Sequence, residues 1–184
     1  MNQQLFAELP RRAQESLERI SAAVEGVVPT AVASWPIEVS KLPAEANDCP
    51  ILGEVRAWAG GSERCLYYID CITPDADLVA VEDAFKHAKK RAKKTRAYPR
   101  PNAPSSCLYV GSSQSVAKRL EDHLGYGAPG TYALQLRHWA GPLSLRLEFV
   151  CAKYPDATLY SVVQALEDAL WEGRTPMFGR QGRK

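Results

Sequence analysis

Apolar residues recur along this chain with two periods, and these periods predict where helices and strands lie. Steps of three and four residues are typical of amphipathic helices, and they occur in four segments at about residues 10–28, 77–97, 112–124 and 158–172. Strand composition, rich in β-branched and aromatic residues or strictly alternating, marks three further segments at residues 64–72, 107–111 and 143–151. The order of these elements predicts an α/β protein.

Residues 30–61 show neither period clearly. Prolines and glycines interrupt short apolar runs there, which favours loops with one strand among them. We therefore predict an N-terminal extension at residues 1–60, made of the first helix and this irregular segment, followed by the main domain at residues 61–184.

Composition limits the class of protein. The chain has 184 residues, of which 46% are hydrophobic and 24% charged, enough for one packed core and unlike a disordered chain. Its five cysteines are scattered without a C-x-x-C pair, which indicates reduced thiols. There is no leader-like start and no apolar run of about 18 residues, so we expect a cytoplasmic protein with no membrane partner.

Positive charge is local. The net charge is only +2, yet eight lysines and arginines and no acid fall within residues 86–100. A phosphate backbone is the expected partner, although a solvated helix face has the same composition. The candidate nucleic-acid-binding residues are Lys89, Lys90, Arg91, Lys93 and Lys94, together with Lys118 on the following helix.

A few residues outside this run could carry chemistry. Arg119 and His123 are four positions apart, hence on one helix face, and Tyr67 and Tyr109 lie in two predicted strands. Glu167 flanks the apolar stripe of the last helix. Taken singly, these signals are weak, because tyrosines on a sheet more often pack in a core or at its rim and a carboxylate at the edge of an apolar stripe usually makes a salt bridge.

Together, their order and spacing resemble the GIY-YIG nuclease superfamily. Cys65-Leu66-Tyr67 stands where that family has its GIY triplet, and Tyr109-Val110-Gly111 stands for YIG. SSQSVAKRLEDH resembles the helix with the family's arginine and frequent histidine, and LEDALWEGRTPMFG resembles the glutamate helix. The resemblance covers residues 64–180.

The resemblance implies a small antiparallel sheet of about three strands flanked by helices. It also implies metal-dependent hydrolysis of DNA phosphodiester bonds, with Glu167 holding one Mg²⁺, or alternatively Mn²⁺, and Arg119 clamping the phosphate. Tyr67 would orient or deprotonate the attacking water, for which its pKa must fall, with Tyr109 and His123 assisting.

Three features depart from the family pattern. Cys65 replaces a glycine, and Gly179 stands where the family usually has an asparagine. Tyr67 and Tyr109 are 42 positions apart, so residues 73–106, with the basic run, would be an insertion in the family's short hairpin. Two alternatives therefore stay open: a DNA-binding module of the same origin that does not cut, and a protein-interaction domain in which Arg119 and Glu167 are merely salt-bridged.

Overall fold

The computed structural model describes residues 2–61, 64–92 and 95–182. Lys93 and Lys94 of the basic run thus lie outside the described residues. In the described part, the helices are α1 (Asn2–Gly26), α2 (Pro50–Ala59), α3 (Leu78–Ala92), α4 (Val116–Leu124) and α5 (Tyr160–Arg174), and the strands are β1 (Ala31–Glu38), β2 (Cys65–Cys71), β3 (Cys107–Ser113) and β4 (Arg146–Lys153).

The four strands form one antiparallel sheet in the order β1-β4-β2-β3, flanked by helices. The α/β class and the antiparallel sheet are therefore confirmed. The expected count of about three strands was too low, because β1, from the irregular N-terminal segment, pairs with β4 along its whole length. Its neighbour β4 has two partners and is central, whereas β3 is an edge strand.

Alternation along β2 divides its side chains between the two faces of the sheet. Tyr67 and Ile69 enter the main core, where Tyr67 packs against Phe149 of β4. Tyr68 lies on the opposite face, where the guanidinium of Arg174 in α5 is 4.4 Å from its ring centre. The two adjacent tyrosines therefore lie on opposite faces of the sheet, and α5 covers the face opposite to Tyr67.

Helix α2 was not predicted. The prolines and glycines of residues 30–61 suggested loops. Pro50, however, occupies the first turn of α2, where an N–H group would have no partner within the helix. Gly60 then ends the helix in the left-handed conformation, with φ of 58°. Leu52 and Val55 are buried in the core.

The chain between β2 and β3 is fastened to the C-terminal tail. The tail's Met177 and Phe178 donate backbone hydrogen bonds to the β3 carbonyls of Cys107 and Leu108. On the tail's other side, Gly179 N–H donates to the carbonyl of Arg100, in the predicted insertion. The tail therefore lies between the edge strand and this insertion, and it brings Gly179 beside Tyr109.

Helix α1 packs against α5, and its Phe6 and Leu17 are largely exposed. In the residues that the structure describes, no helix combines the length and the apolar character needed to cross a bilayer.

Deleting residues 1–26 should preserve a cooperatively folded protein, whereas deleting residues 1–60 should abolish it. The longer deletion removes β1, α2 and the buried side chains of Trp35, Ile37 and Leu52. Large buried side chains stabilise a fold by about 1.5–3 kcal/mol each, against a total stability of about 5–15 kcal/mol. Thermal unfolding followed by circular dichroism tests both deletion variants. A cooperative transition in the longer deletion would contradict the assignment of β1 and α2 to the core.

Candidate active site

Four of the predicted catalytic residues meet on one face of the sheet. Tyr67 pairs with Gly111, and Tyr109 with Ile69, so both phenols point to the face that α4 covers. Their rings are nearly parallel, with centres 6.2 Å apart. The structure thus brings together two tyrosines that are far apart in sequence, and helix α4 adds Arg119 and His123.

Arg119 joins the two phenols. Its Nε donates to Tyr67 Oη over 3.2 Å, and its Nη2 donates to Tyr109 Oη over 3.0 Å and to the carbonyl of Tyr132 over 2.8 Å. Burial lowers the pKa of Arg119, but the two phenols together raise it by more, so the net shift is upward. The guanidinium is therefore a permanent cation, held in one orientation.

His123 lies beneath this arrangement, fully buried. Its Nδ1 accepts the backbone N–H of Leu134 over 3.2 Å, so in the neutral ring the proton is on Nε2, which donates to Tyr67 Oη over 3.1 Å. Burial, and then the charge of Arg119, hold the pKa of His123 well below its usual value. His123 is thus a neutral donor that positions Tyr67.

The environment of Tyr67 does not favour the phenolate. Burial raises the pKa of Tyr67 well above its ordinary value, and Tyr109 raises it further, whereas Arg119 lowers it. The acidification that a water-activating role requires is therefore absent in the described residues. Tyr67 is a neutral phenol whose oxygen accepts from both Arg119 and His123.

Gly111 allows this close packing. A Cβ at this position would lie 2.7 Å from Tyr67 Oη and 3.0 Å from Tyr109 Cε1. The glycine of the Tyr-Val-Gly triplet is therefore required for steric reasons, because any side chain there would displace the phenol that holds Arg119.

Glu167 approaches from the other side of the sheet. It lies on α5, half-buried beside Ser112 of the edge strand β3. Burial raises the pKa of Glu167, while the Ser112 hydroxyl and backbone N–H, and the charge of Arg119, lower it. Glu167 in turn raises the pKa of Tyr67. The carboxylate is thus within electrostatic range of the cluster, past the edge of the sheet.

A cleft of about 710 Å³ opens above the cluster. None of the described residues lining it is acidic, and Glu167, Tyr67 and His123 do not line it. Gly179 at its wall would place a Cβ only 3.3 Å from the ring of Tyr109. The lining residues are Tyr98, Pro99, Arg100, Tyr109, Arg119, Tyr132, Gly179 and Arg180.

The candidate nucleic-acid-binding residues have different surroundings. Lys89 Nζ donates to the carbonyl of Pro99 over 2.8 Å, while Lys90 and Arg91 are exposed. Lys118 is paired on its own helix, with Glu121 at 2.6 Å and Asp122 at 3.6 Å. Lys89 is thereby hydrogen-bonded to the cleft wall, because Pro99 is part of the lining.

The sequence reasoning missed several residues of the site. Ser112 directly follows the Tyr-Val-Gly triplet and could have been found there. Arg100 belongs to the basic run at residues 86–100 but was not among the named candidates. Tyr132 and Arg180 lie in segments without periodicity, so no local pattern pointed to them.

Gly111→Ala should destabilise the protein by about 1–3 kcal/mol, the usual cost of adding a methyl group to a packed site. Gly53→Ala is the matched control, because Gly53 is exposed inside α2 with no atom within 4 Å of a built Cβ. It should stabilise by roughly 0.5–1 kcal/mol. Urea unfolding measures both, and equal effects would contradict the close packing at Gly111.

Stability should fall as the pH drops through the ordinary range of histidine titration. The unfolded chain protonates His123 near pH 6.5, whereas the folded protein resists, so protons favour unfolding by up to about 1.4 kcal/mol per pH unit. His123→Asn keeps an acceptor for Leu134 N–H without titrating and should reduce this slope in urea unfolding between about pH 7 and 5.

His138→Asn is the control for this measurement. Burial also lowers the pKa of His138, but this residue is more exposed, so its replacement should reduce the slope less than His123→Asn does. An unchanged slope in His123→Asn would refute the neutral, buried assignment.

Comparisons with known proteins do not assign the chain to a family. No protein-family model, no curated protein and no solved structure matches it. The GIY-YIG resemblance therefore depends on the motif residues themselves, and it stays a prediction.

Proposed function

We propose that this protein is a divalent-metal-dependent endonuclease that hydrolyses DNA phosphodiester bonds through a GIY-YIG-type site. The observation that supports the proposal best is the guanidinium of Arg119, held by two tyrosines at a cleft that also presents Arg100 and Arg180. A fixed cation in a basic cleft suits a phosphodiester.

Arg119 binds the scissile phosphate in this proposal. Its Nη1 is 4.0 Å from Asp122 Oδ2, a weak contact that leaves N–H groups for a ligand. The two N–H groups of Nη1 would donate to phosphate oxygens and stabilise the charge that grows on them in the transition state, because Nε and Nη2 are already bound to the two tyrosines and to the Tyr132 carbonyl. Arg100 and Arg180 would bind neighbouring phosphates.

Burial divides the remaining roles. Tyr109 lines the cleft, so its hydroxyl would contact the attacking water or the phosphate. Tyr67 and His123 are buried and neutral, so neither would act as a base: Tyr67 would hold Arg119, and His123 would position Tyr67. This differs from the role that the family resemblance implied for Tyr67.

Glu167 would hold the metal ion. Its donor chemistry fits, because a half-buried carboxylate with a raised pKa gains from a nearby cation, and Mg²⁺ commonly takes one or two carboxylates plus waters and substrate phosphate. Among the described residues, no group of three or more His, Cys, Asp or Glu side chains is arranged as a cage. Once bound, the ion would supply charge stabilisation at the phosphoryl oxygens.

One observation favours the alternative, a DNA-binding module that does not cut. Glu167 lies beside Ser112 and is not part of the cleft lining. A ligand bound to Arg119 would therefore contact Glu167 only by reaching past Ser112.

Incubation of plasmid DNA with Mg²⁺, Mn²⁺ or EDTA tests the proposal. The wild-type protein should cut only with metal, and Glu167→Gln and Arg119→Lys should each lower the rate by about 10²–10³-fold, as expected for loss of a transition-state contact. DNA binding without cutting would support the alternative. Cutting that persists in both variants would exclude this site.

Tyr67→Phe and Tyr68→Phe are the matched pair for the same assay. Tyr67→Phe leaves buried donors of Arg119 and His123 unpaired, so it should lose activity and about 1–3 kcal/mol of stability. Tyr68→Phe keeps the ring that stacks on Arg174 and should behave like the wild type. The reverse outcome would be incompatible with the observed register of β2.

A further inference from the structure

One aromatic side chain of the cleft is free to meet a ligand. Tyr132 is 69% exposed, although its own carbonyl accepts a hydrogen bond from Arg119. The other two tyrosines of the lining are less exposed: Tyr98 is buried and Tyr109 is half-buried. A phenol ring therefore stands in solvent beside the cation that we assign to the phosphate.

The segment that carries Tyr132 is held in place. We call residues 126–135 the Tyr132 loop. Leu134 N–H donates to His123 Nδ1, and the buried Gln135 accepts from Arg96 Nη1 over 2.7 Å. Pro129 accepts from Ala97 N–H over 2.6 Å. The exposure of Tyr132 is thus a feature of a fastened loop, whose backbone is held at Arg119 by the hydrogen bond to the Tyr132 carbonyl.

Arginines and an exposed tyrosine together match one class of ligand. Grooves that bind single-stranded nucleic acid combine cations for the backbone with aromatic rings on which bases stack. The cleft offers Arg100, Arg119 and Arg180 for phosphates and Tyr132 for a base. Since stacking needs only the face of a base, this arrangement would tolerate any sequence.

We infer that Tyr132 is the stacking platform for an unpaired nucleobase at the cleavage position, so that DNA with an unpaired nucleotide is preferred over continuous duplex. The inference rests on the proposed function for the identity of the ligand as DNA. A base inside a duplex is covered on both faces, so it meets Tyr132 only after leaving the stack, which costs least in single-stranded or mismatched DNA. Because Arg119 bonds both the loop and, in our assignment, the scissile phosphate, the base belongs to a nucleotide adjoining that phosphate.

Binding measurements with two DNA probes test this inference. We would use the full chain carrying Glu167→Gln, in EDTA so that DNA stays intact, and fluorescence anisotropy with a single-stranded oligonucleotide and the perfect duplex of the same sequence. Adding Tyr132→Ala should raise Kd for the single strand about 5–150-fold, the effect of losing one stacked base, and leave Kd for the duplex unchanged. Tyr132→Phe should retain tight binding, since the ring is kept.

Tyr160→Ala is the matched control. Tyr160 is 57% exposed at the start of α5 and does not line the cleft, so its loss should change neither Kd. An equal effect of Tyr132→Ala on both probes, no effect on either, or failure of Tyr132→Phe to retain binding would overturn the inference.

These outcomes are separate from those of the proposed nuclease activity. If Tyr132→Ala selectively weakens single-strand binding while the wild-type protein cuts no DNA with Mg²⁺ or Mn²⁺, the stacking site stands and the nuclease proposal fails. If the wild-type protein cuts but Tyr132→Ala binds both probes like its parent, the nuclease proposal stands and the stacking site fails.

Discussion

A largely buried guanidinium needs acceptors, and in this protein the acceptors of Arg119 come from three separate parts of the chain. The Arg119 side chain is only 21% exposed, and its donors meet a phenol on β2, a phenol on β3 and a carbonyl of the Tyr132 loop. An unpaired donor in a buried site costs free energy, so the hydrogen bonds of Arg119 hold these three segments in fixed positions relative to one another. The cleft, and both proposals made for it, depend on this convergence.

Burial separates the groups that hold this cation from those that can reach a ligand. Tyr67 and His123 are buried between the sheet and α4, and both stay neutral because desolvation opposes the charged form of each. His123 can therefore orient Tyr67, and Tyr67 can orient Arg119, without adding a competing negative charge. Tyr109, Arg119 and Tyr132 reach the cleft, so a phosphate and a base would meet a site that is already ordered.

The predicted insertion is part of this site. Its residues 95–102 supply Tyr98 and Arg100 to the cleft, Arg96 to Gln135, and Asn102, whose side chain donates to the carbonyls of Pro176 and Gly179. The last contact orders the segment where the family resemblance had suggested a missing asparagine. Residues 95–102 thus form part of the cleft wall and hold the tail beside Tyr109.

The sequence by itself determined the local elements and the identity of the cluster. Periodicity predicted α3, α4, α5 and three strands, because it is set by neighbours a few residues apart. The resemblance to a known family selected Tyr67, Tyr109, Arg119, His123 and Glu167 as candidates. Only the tertiary structure decided that β1 joins the sheet, that Tyr67 is buried and neutral, that Glu167 lies beside Ser112 of the edge strand, and that Tyr132 is exposed at the cleft that Arg119 lines. Pairing partners, burial and pKa shifts arise from residues distant in the chain, and no local pattern encodes them.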